Sequence, residues 1–188
     1  MSSETKVVEV RNQEVVGSIP IFGILYLYYS KVVKIGSFLY YKIQIINMSN
    51  ELRIGIVGYS PPSRFDESEA RRMLIDAYNK IESGFPDRQK SAVSGLTDTG
   101  VSSLAYREAV NREWRTVGIA CKKAYGLEWF PVDEEPIIVG ENWGDESQTF
   151  LDYIDVLIRV GGGNQSMREA AETKRRGKLV FEYELPKI

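Results

Sequence analysis

Histidine is absent from this chain of 188 residues. That absence removes the Ser-His-Asp triad, the Cys-His dyad and every histidine-ligated metal site. Cysteine is down to one, Cys121. A single thiol cannot close an internal disulfide or build a zinc cluster, and it fits a reducing cytoplasm. Cys121 ends an apolar segment, where it reads as a small core residue rather than a nucleophile. Neither sign of charge is in excess: 24 Lys and Arg against 26 Asp and Glu leave −2. Nothing in that balance points to nucleic acid or to a polybasic membrane contact. The apolar run at 19–29, broken by Pro20 and Gly23, falls short of the about 20 residues that span a bilayer. Charge precedes it weakly and no small-residue cleavage site follows, so it is a poor secretory signal. A cytoplasmic protein without membrane or nucleic-acid partners is the expectation.

What is present is ordinary for a soluble domain: 43% hydrophobic and 27% charged residues, enough for one real core. Residues 1–47 differ from the rest. Their β-branched and aromatic stretch at 32–46 suits short strands or a hairpin. Met48, followed at once by a confident strand, looks like a natural start. Residues 1–47 are therefore expected to be an extension peculiar to this chain or a mis-called upstream start, with no chemistry placed in them, and 48–188 to be the working domain.

From Leu52 onward strands and helices alternate. Residues 52–57 form an apolar strand leading to Gly58-Tyr59-Ser60-Pro61-Pro62, where the prolines bar immediate helix continuation. Asp66 is then a good N-cap with Glu69 three residues on, and Ala70, Met73, Leu74, Ala77, Tyr78 and Ile81 have helical spacing. A second strand, 92–94, runs into Gly95-Leu96-Thr97-Asp98-Thr99-Gly100 and a helix with Leu104, Ala105, Ala109 and Val110 spaced for burial. Strands at 116–121 and 136–139, a polar loop from Gly140 to Ser147, a short helix at 148–154, a strand at 155–160, a helix at 168–176 closed by Gly177, and a strand at 178–182 complete the series. This order predicts an α/β protein, a Rossmann-like three-layer sandwich with a mostly parallel sheet.

In such a sheet ligands bind beyond the carboxyl ends of the strands. Three polar glycine loops leave those ends, after Val57, Ser94 and Val160, and are expected to converge. They offer backbone N–H groups and the hydroxyls of Ser60, Thr97, Thr99 and Ser166, an inventory that suits a phosphate or sugar phosphate. The third loop, Gly161-Gly162-Gly163-Asn164-Gln165-Ser166, is the richest: a turn with freedom of φ at the head of a helix whose positive end favours an anion. Two readings of Ser166 and Glu169 stand side by side: a capping box, or a ligand hydroxyl and a working carboxylate. Asp98 reads as an Asx turn or a ligand contact. Glu141 and Asp145 read as solvated, and Trp143 and Tyr59 as covers of the sheet edge or platforms for a base. No dinucleotide fingerprint and no Walker A loop occurs, which disfavours NAD binding and ATP hydrolysis. No cofactor and no metal is expected.

The segment Gly162-Gly163-Asn164-Gln165-Ser166-Met167-Arg168-Glu169 resembles the Pro-Gly-Gly-x-Gly-Thr-x-x-Glu motif of the Lonely Guy phosphoribohydrolases. The loop from Ser94 to Val101 resembles the glycine turn of DNA-processing protein A and molybdenum-cofactor carrier relatives. Together they resemble the SLOG superfamily of Rossmann-like proteins, from about Leu52 to the C-terminus. The resemblance implies a nucleotide or sugar-phosphate ligand, a homodimer and, in catalytic members, cleavage of an N-glycosidic bond of a nucleoside monophosphate. It implies that Gly162 and Gly163 hold the phosphate, that Ser166 replaces the motif's Thr and that Glu169 is the catalytic acid. Departures are Gly161 for the motif's Pro and Gln165 for its third Gly. The family's catalytic arginine has no clear counterpart; Arg107 and Arg112 are the candidates. An N-glycosidic hydrolase and a non-catalytic carrier or sensor both remain open.

Overall fold

The computed structural model describes residues 50–188 and, ahead of them, the backbone of residues 18–21, 25–35 and 38–44. The chain divides into two compact units, Met1–Ser49 and Asn50–Ile188. In the first, β1 (Ser18–Ile21), β2 (Leu25–Ile35) and β3 (Phe38–Gln44) form an antiparallel sheet in that order. The β2–β3 pairing, from Tyr28 opposite Gln44 to Ile35 opposite Phe38, is the hairpin that the β-branched and aromatic stretch suggests. Among the described residues no helix is long and apolar enough to cross a membrane.

The second unit holds a six-stranded sheet: β4 (Glu51–Gly58), β5 (Gln89–Ser94), β6 (Arg115–Ala120), β7 (Ile137–Ile138), β8 (Val156–Val160) and β9 (Leu179–Tyr183). All its pairings are parallel, in the order β7-β6-β5-β4-β8-β9. Every residue of β8 is buried, which is why it reads as an apolar run broken only by Arg159 rather than as an alternating one. Helices cover both faces. On one side Ile54, Ile56, Ile158 and Val160 pack with α1 (Glu67–Gly84) and α2 (Gly100–Asn111). On the other Val57 and Leu157 pack with α3 (Ser147–Tyr153) and α4 (Asn164–Arg175). Gly55 lets α3 lie directly on β4, since a Cβ there would fall 2.6 Å from Ile154 Cδ1 and 2.8 Å from Phe150 Cζ. The expected Rossmann-like three-layer α/β fold is the one observed, and Cys121 is a buried core thiol.

Local chemistry explains the start of α1. Asp66 caps α1, accepting from the N–H groups of Ser68 (2.9 Å) and Glu69 (3.1 Å). Glu69 does not return to the cap and pairs with Arg72 instead. The buried stripe of α1 is the expected set, Ala70, Met73, Leu74, Ala77, Tyr78 and Ile81. On α2 the expectation fails at Val110, which is 54% exposed. Ala105 and Ala109 are buried as expected, and Val101 and Tyr106 complete the inward side in place of Val110. Tyr106 fixes that rotation: its hydroxyl accepts from the Ser94 N–H (3.1 Å) and lies 2.8 Å from the Val117 carbonyl, tying α2 to β5 and β6.

Candidate functional site

The sheet order reverses between β4 and β8, so the loops after β5, β4 and β8 sit side by side at the carboxyl edge. Several glycines serve to fit them together. Gly100 (φ 65°) brings the start of α2 against the first loop, with Val101 N–H donating to the Tyr59 carbonyl at 2.9 Å. A Cβ on Gly58 would fall 2.5 Å from the Val160 carbonyl oxygen. Gly161 (φ 58°) packs under the Tyr59 ring and spends its N–H on the Tyr183 carbonyl. Gly162 (φ 98°) leaves space for the Ser166 hydroxyl, which a Cβ would approach to 2.0 Å.

These loops enclose a cavity of about 720 Å³. The first contributes Gly58, Tyr59 and Ser60, the second Gly95, Thr97 and Thr99. The third brings Gly163, Asn164, Gln165 and Ser166, with Glu169 one turn further on. Asp98, Gly100, Gly161 and Gly162 stand outside the lining. Asp98 is turned away and accepts from Ser103 Oγ (2.5 Å) and twice from Arg107 Nη2 (3.0 Å each). Arg107 is thereby engaged, and Arg112 pairs with Glu82 and Glu108. Neither candidate arginine reaches the cavity, and among the described residues no Lys or Arg lines it.

The head of α4 differs from the sequence expectation. The helix begins at Asn164, not at 168, and its N-cap is Gly163, whose cap position makes no side-chain bond. Ser166 is inside the first turn, where its hydroxyl donates to the Gly163 carbonyl at 2.9 Å. The Ser166–Glu169 capping box is therefore not formed. The first N–H groups of a helix have no intrahelical partner, and in α4 they belong to residues lining the cavity. Thr99, the N-cap of α2, also makes no side-chain cap bond and lines the same cavity. Two helix heads without side-chain caps, each equivalent to about half a positive charge, thus border one space, although at α2 the Val101 N–H is already spent on the Tyr59 carbonyl.

Opposite in character is a buried acidic group. Glu169 is 6% exposed and Glu146 7%. Gln165 Nε2 donates between them, at 3.0 Å to Glu169 Oε1 and 3.1 Å to Glu146 Oε1. The Ser147 hydroxyl donates to Glu169 Oε1 at 2.6 Å, and the Gly144 N–H to Glu146 Oε2 at 2.9 Å. Burial raises the Glu169 carboxyl above its ordinary value, the donors Ser147 and Gln165 oppose the rise, and the Glu146 charge adds to it. Glu146 escapes the sequence reading because a glutamate in a polar loop is most often solvated. Its one signal is position, immediately ahead of α3 at the carboxyl edge. The neighbouring acids behave as expected: Glu141 pairs with Lys122 on the surface, and Asp145 holds a tight turn through the N–H groups of Glu141 and Asn142. Trp143 is half exposed at the cavity and Tyr59 stacks on Phe65.

The fold and this edge define a Rossmann-like protein with a ligand-sized cavity at the switch point of its sheet. No protein-family model matches the sequence, and no curated protein matches it. Solved structures do share the fold. The molybdenum cofactor carrier protein of Chlamydomonas reinhardtii is 20% identical over 70% of this chain and 76% of that one, with a TM-score of 0.52. The molybdenum cofactor binding protein of the phototrophic bacterium Rippkaea orientalis is 21% identical over 70% and 76%, with a TM-score of 0.55. The structural-genomics target TM1055 is 22% identical over 69% and 72%, with a TM-score of 0.54.

Proposed function

We propose that the cavity binds a phosphorylated small molecule, a nucleotide or sugar phosphate, with its phosphate at the heads of α4 and α2. The observation that carries this reading is the opening of two uncapped helix heads, one of them entered through a glycine turn, onto one cavity of about 720 Å³. The free N–H groups of α4 and the favourable dipoles suit an anion there, in a space to which the described residues bring no cationic side chain. Gly163 marks the approach, because a Cβ at that residue meets no protein atom within 4 Å. Two structural neighbours, a molybdenum cofactor carrier and a molybdenum cofactor binding protein, support a binding role. The proposal includes a homodimer working in a reducing cytoplasm.

Cleavage of an N-glycosidic bond is the second reading. It is favoured by Glu169, a buried carboxyl with a raised pKa one helical turn from the phosphate end. Such a group can give a proton to a departing base. The absence of any arginine from the cavity lining weighs towards binding without turnover. Mass spectrometry of small molecules carried by the purified protein, followed by chromatography of nucleoside monophosphates incubated with it, tests both. A phosphorylated passenger and intact nucleotides support the binding role; a released base supports the enzyme. A protein that carries and retains no phosphorylated compound contradicts both.

A further inference from the structure

Glu146 and Glu169 are buried carboxylates on different elements, and among the described residues neither has an ion-pair partner. Their donors are few. Gln165 serves both, Ser147 serves Glu169 and the Gly144 N–H serves Glu146. Glu169 Oε2 receives no hydrogen bond from any described residue and is reachable from the cavity that the residue lines; the one fully buried side-chain polar atom left without a partner among the described residues is Ser91 Oγ. A carboxyl group has about four lone-pair sites, so Oε2 keeps acceptor capacity on the cavity side. An N–H group entering the cavity would find that acceptor open. The walls beside the acids are flat and apolar, with Phe150 and Ile119 lining the cavity and the half-exposed indole of Trp143 beside them. Such walls suit a planar ring rather than a flexible ammonium chain.

We propose that the acidic end of the cavity, Glu146 and Glu169 joined through Gln165, recognises a nitrogen heterocycle that presents an exocyclic amine to the carboxylates. A ring bearing only a carbonyl at that edge places lone pairs against carboxylate oxygens and is rejected. The inference rests on the proposed function for the cavity as the ligand site, but it needs no phosphate.

The test is equilibrium dialysis of the full chain with adenosine, guanosine, inosine, cytidine and uridine, each as nucleoside and as 5′-monophosphate. The amine-bearing member of the adenosine–inosine, guanosine–inosine or cytidine–uridine pair is expected to bind about tenfold or more tightly, the scale of a charge-assisted hydrogen bond. The preference is expected in the nucleosides as well, and to collapse in Glu146→Gln. Monophosphates that bind without regard to the amine overturn this inference and leave the phosphate site standing. Amine preference with no gain from the phosphate supports it and removes the phosphate site. A panel that does not bind at all overturns both. The wild-type comparison decides the question even if Glu146→Gln fails to fold.

Discussion

Arg159 donates from Nη1 to the carbonyl of Gly161, two residues along the chain, at 3.0 Å. The guanidinium is 7% exposed and is also held by Glu182 across the β8–β9 pair and by Glu184. A strand residue thereby pins the turn that leads into α4, from beneath.

Arg159→Met should lower stability by about 2 kcal/mol, because a buried carbonyl loses its donor. The loss stays below that of a fully orphaned buried pair, since Glu182 keeps Lys174 and Glu184 is 85% exposed. Thermal unfolding should show a fall of about 4–8 °C. An unchanged midpoint would mean that Arg159 does not hold the turn.

Gly162 and Gly163 should separate folding from binding. Gly162→Ala forces a Cβ into a positive-φ residue and to 2.0 Å from Ser166 Oγ. Destabilisation of about 2 kcal/mol or more is expected. Gly163 has φ −95° and open space at its Cβ position, so Gly163→Val should melt like the wild type and lose ligand affinity. Equal melting of both variants, or intact affinity in Gly163→Val, would contradict the assignment.

The raised Glu169 pKa has a definite sign in stability. Above the ordinary value of 4.5 the unfolded chain has released this proton while the folded chain still holds it. The group's contribution is therefore greatest below that value and is lost as pH rises through the folded pKa. The melting temperature of Glu169→Gln should gain on the wild type as pH rises from 4.5 through the raised folded-state pKa. A constant difference across that range would show that Glu169 is not perturbed.

A chain starting at Met48 should fold with the same cooperative melt and keep its ligand affinity. The whole parallel sheet and its covering helices lie within Asn50–Ile188. An insoluble or molten product would show that the preceding residues complete the core.

The fold was legible because its signals are local. The six apolar positions of α1 and its Asp66 cap follow from spacing and from a carboxylate placed before free N–H groups. The all-buried β8 follows from a run that is apolar but for Arg159. Signals that depend on distant partners were not legible. Val110 fits a helical stripe as well as Tyr106 does, and only the bonds from Tyr106 to β5 and β6 decide which side faces inward. Ser166 and Glu169 have capping-box spacing, but three glycines let α4 start two residues before Ser166, which places the pair inside the helix. Asp98 has the right loop and the wrong direction, because Arg107 on α2 draws it away. Glu146 joins the site through Gln165, a contact across 19 residues of chain that no local pattern announces.

The most direct measurement is the amide ¹H–¹⁵N spectrum of the full chain titrated with a nucleoside 5′-monophosphate. The largest saturable shifts should fall on the N–H groups of Asn164, Gln165 and Ser166, with smaller ones at the head of α2, and should vanish in Gly163→Val. Saturable shifts that leave these amides unmoved, or that persist unchanged in Gly163→Val, would contradict a phosphate site at the head of α4.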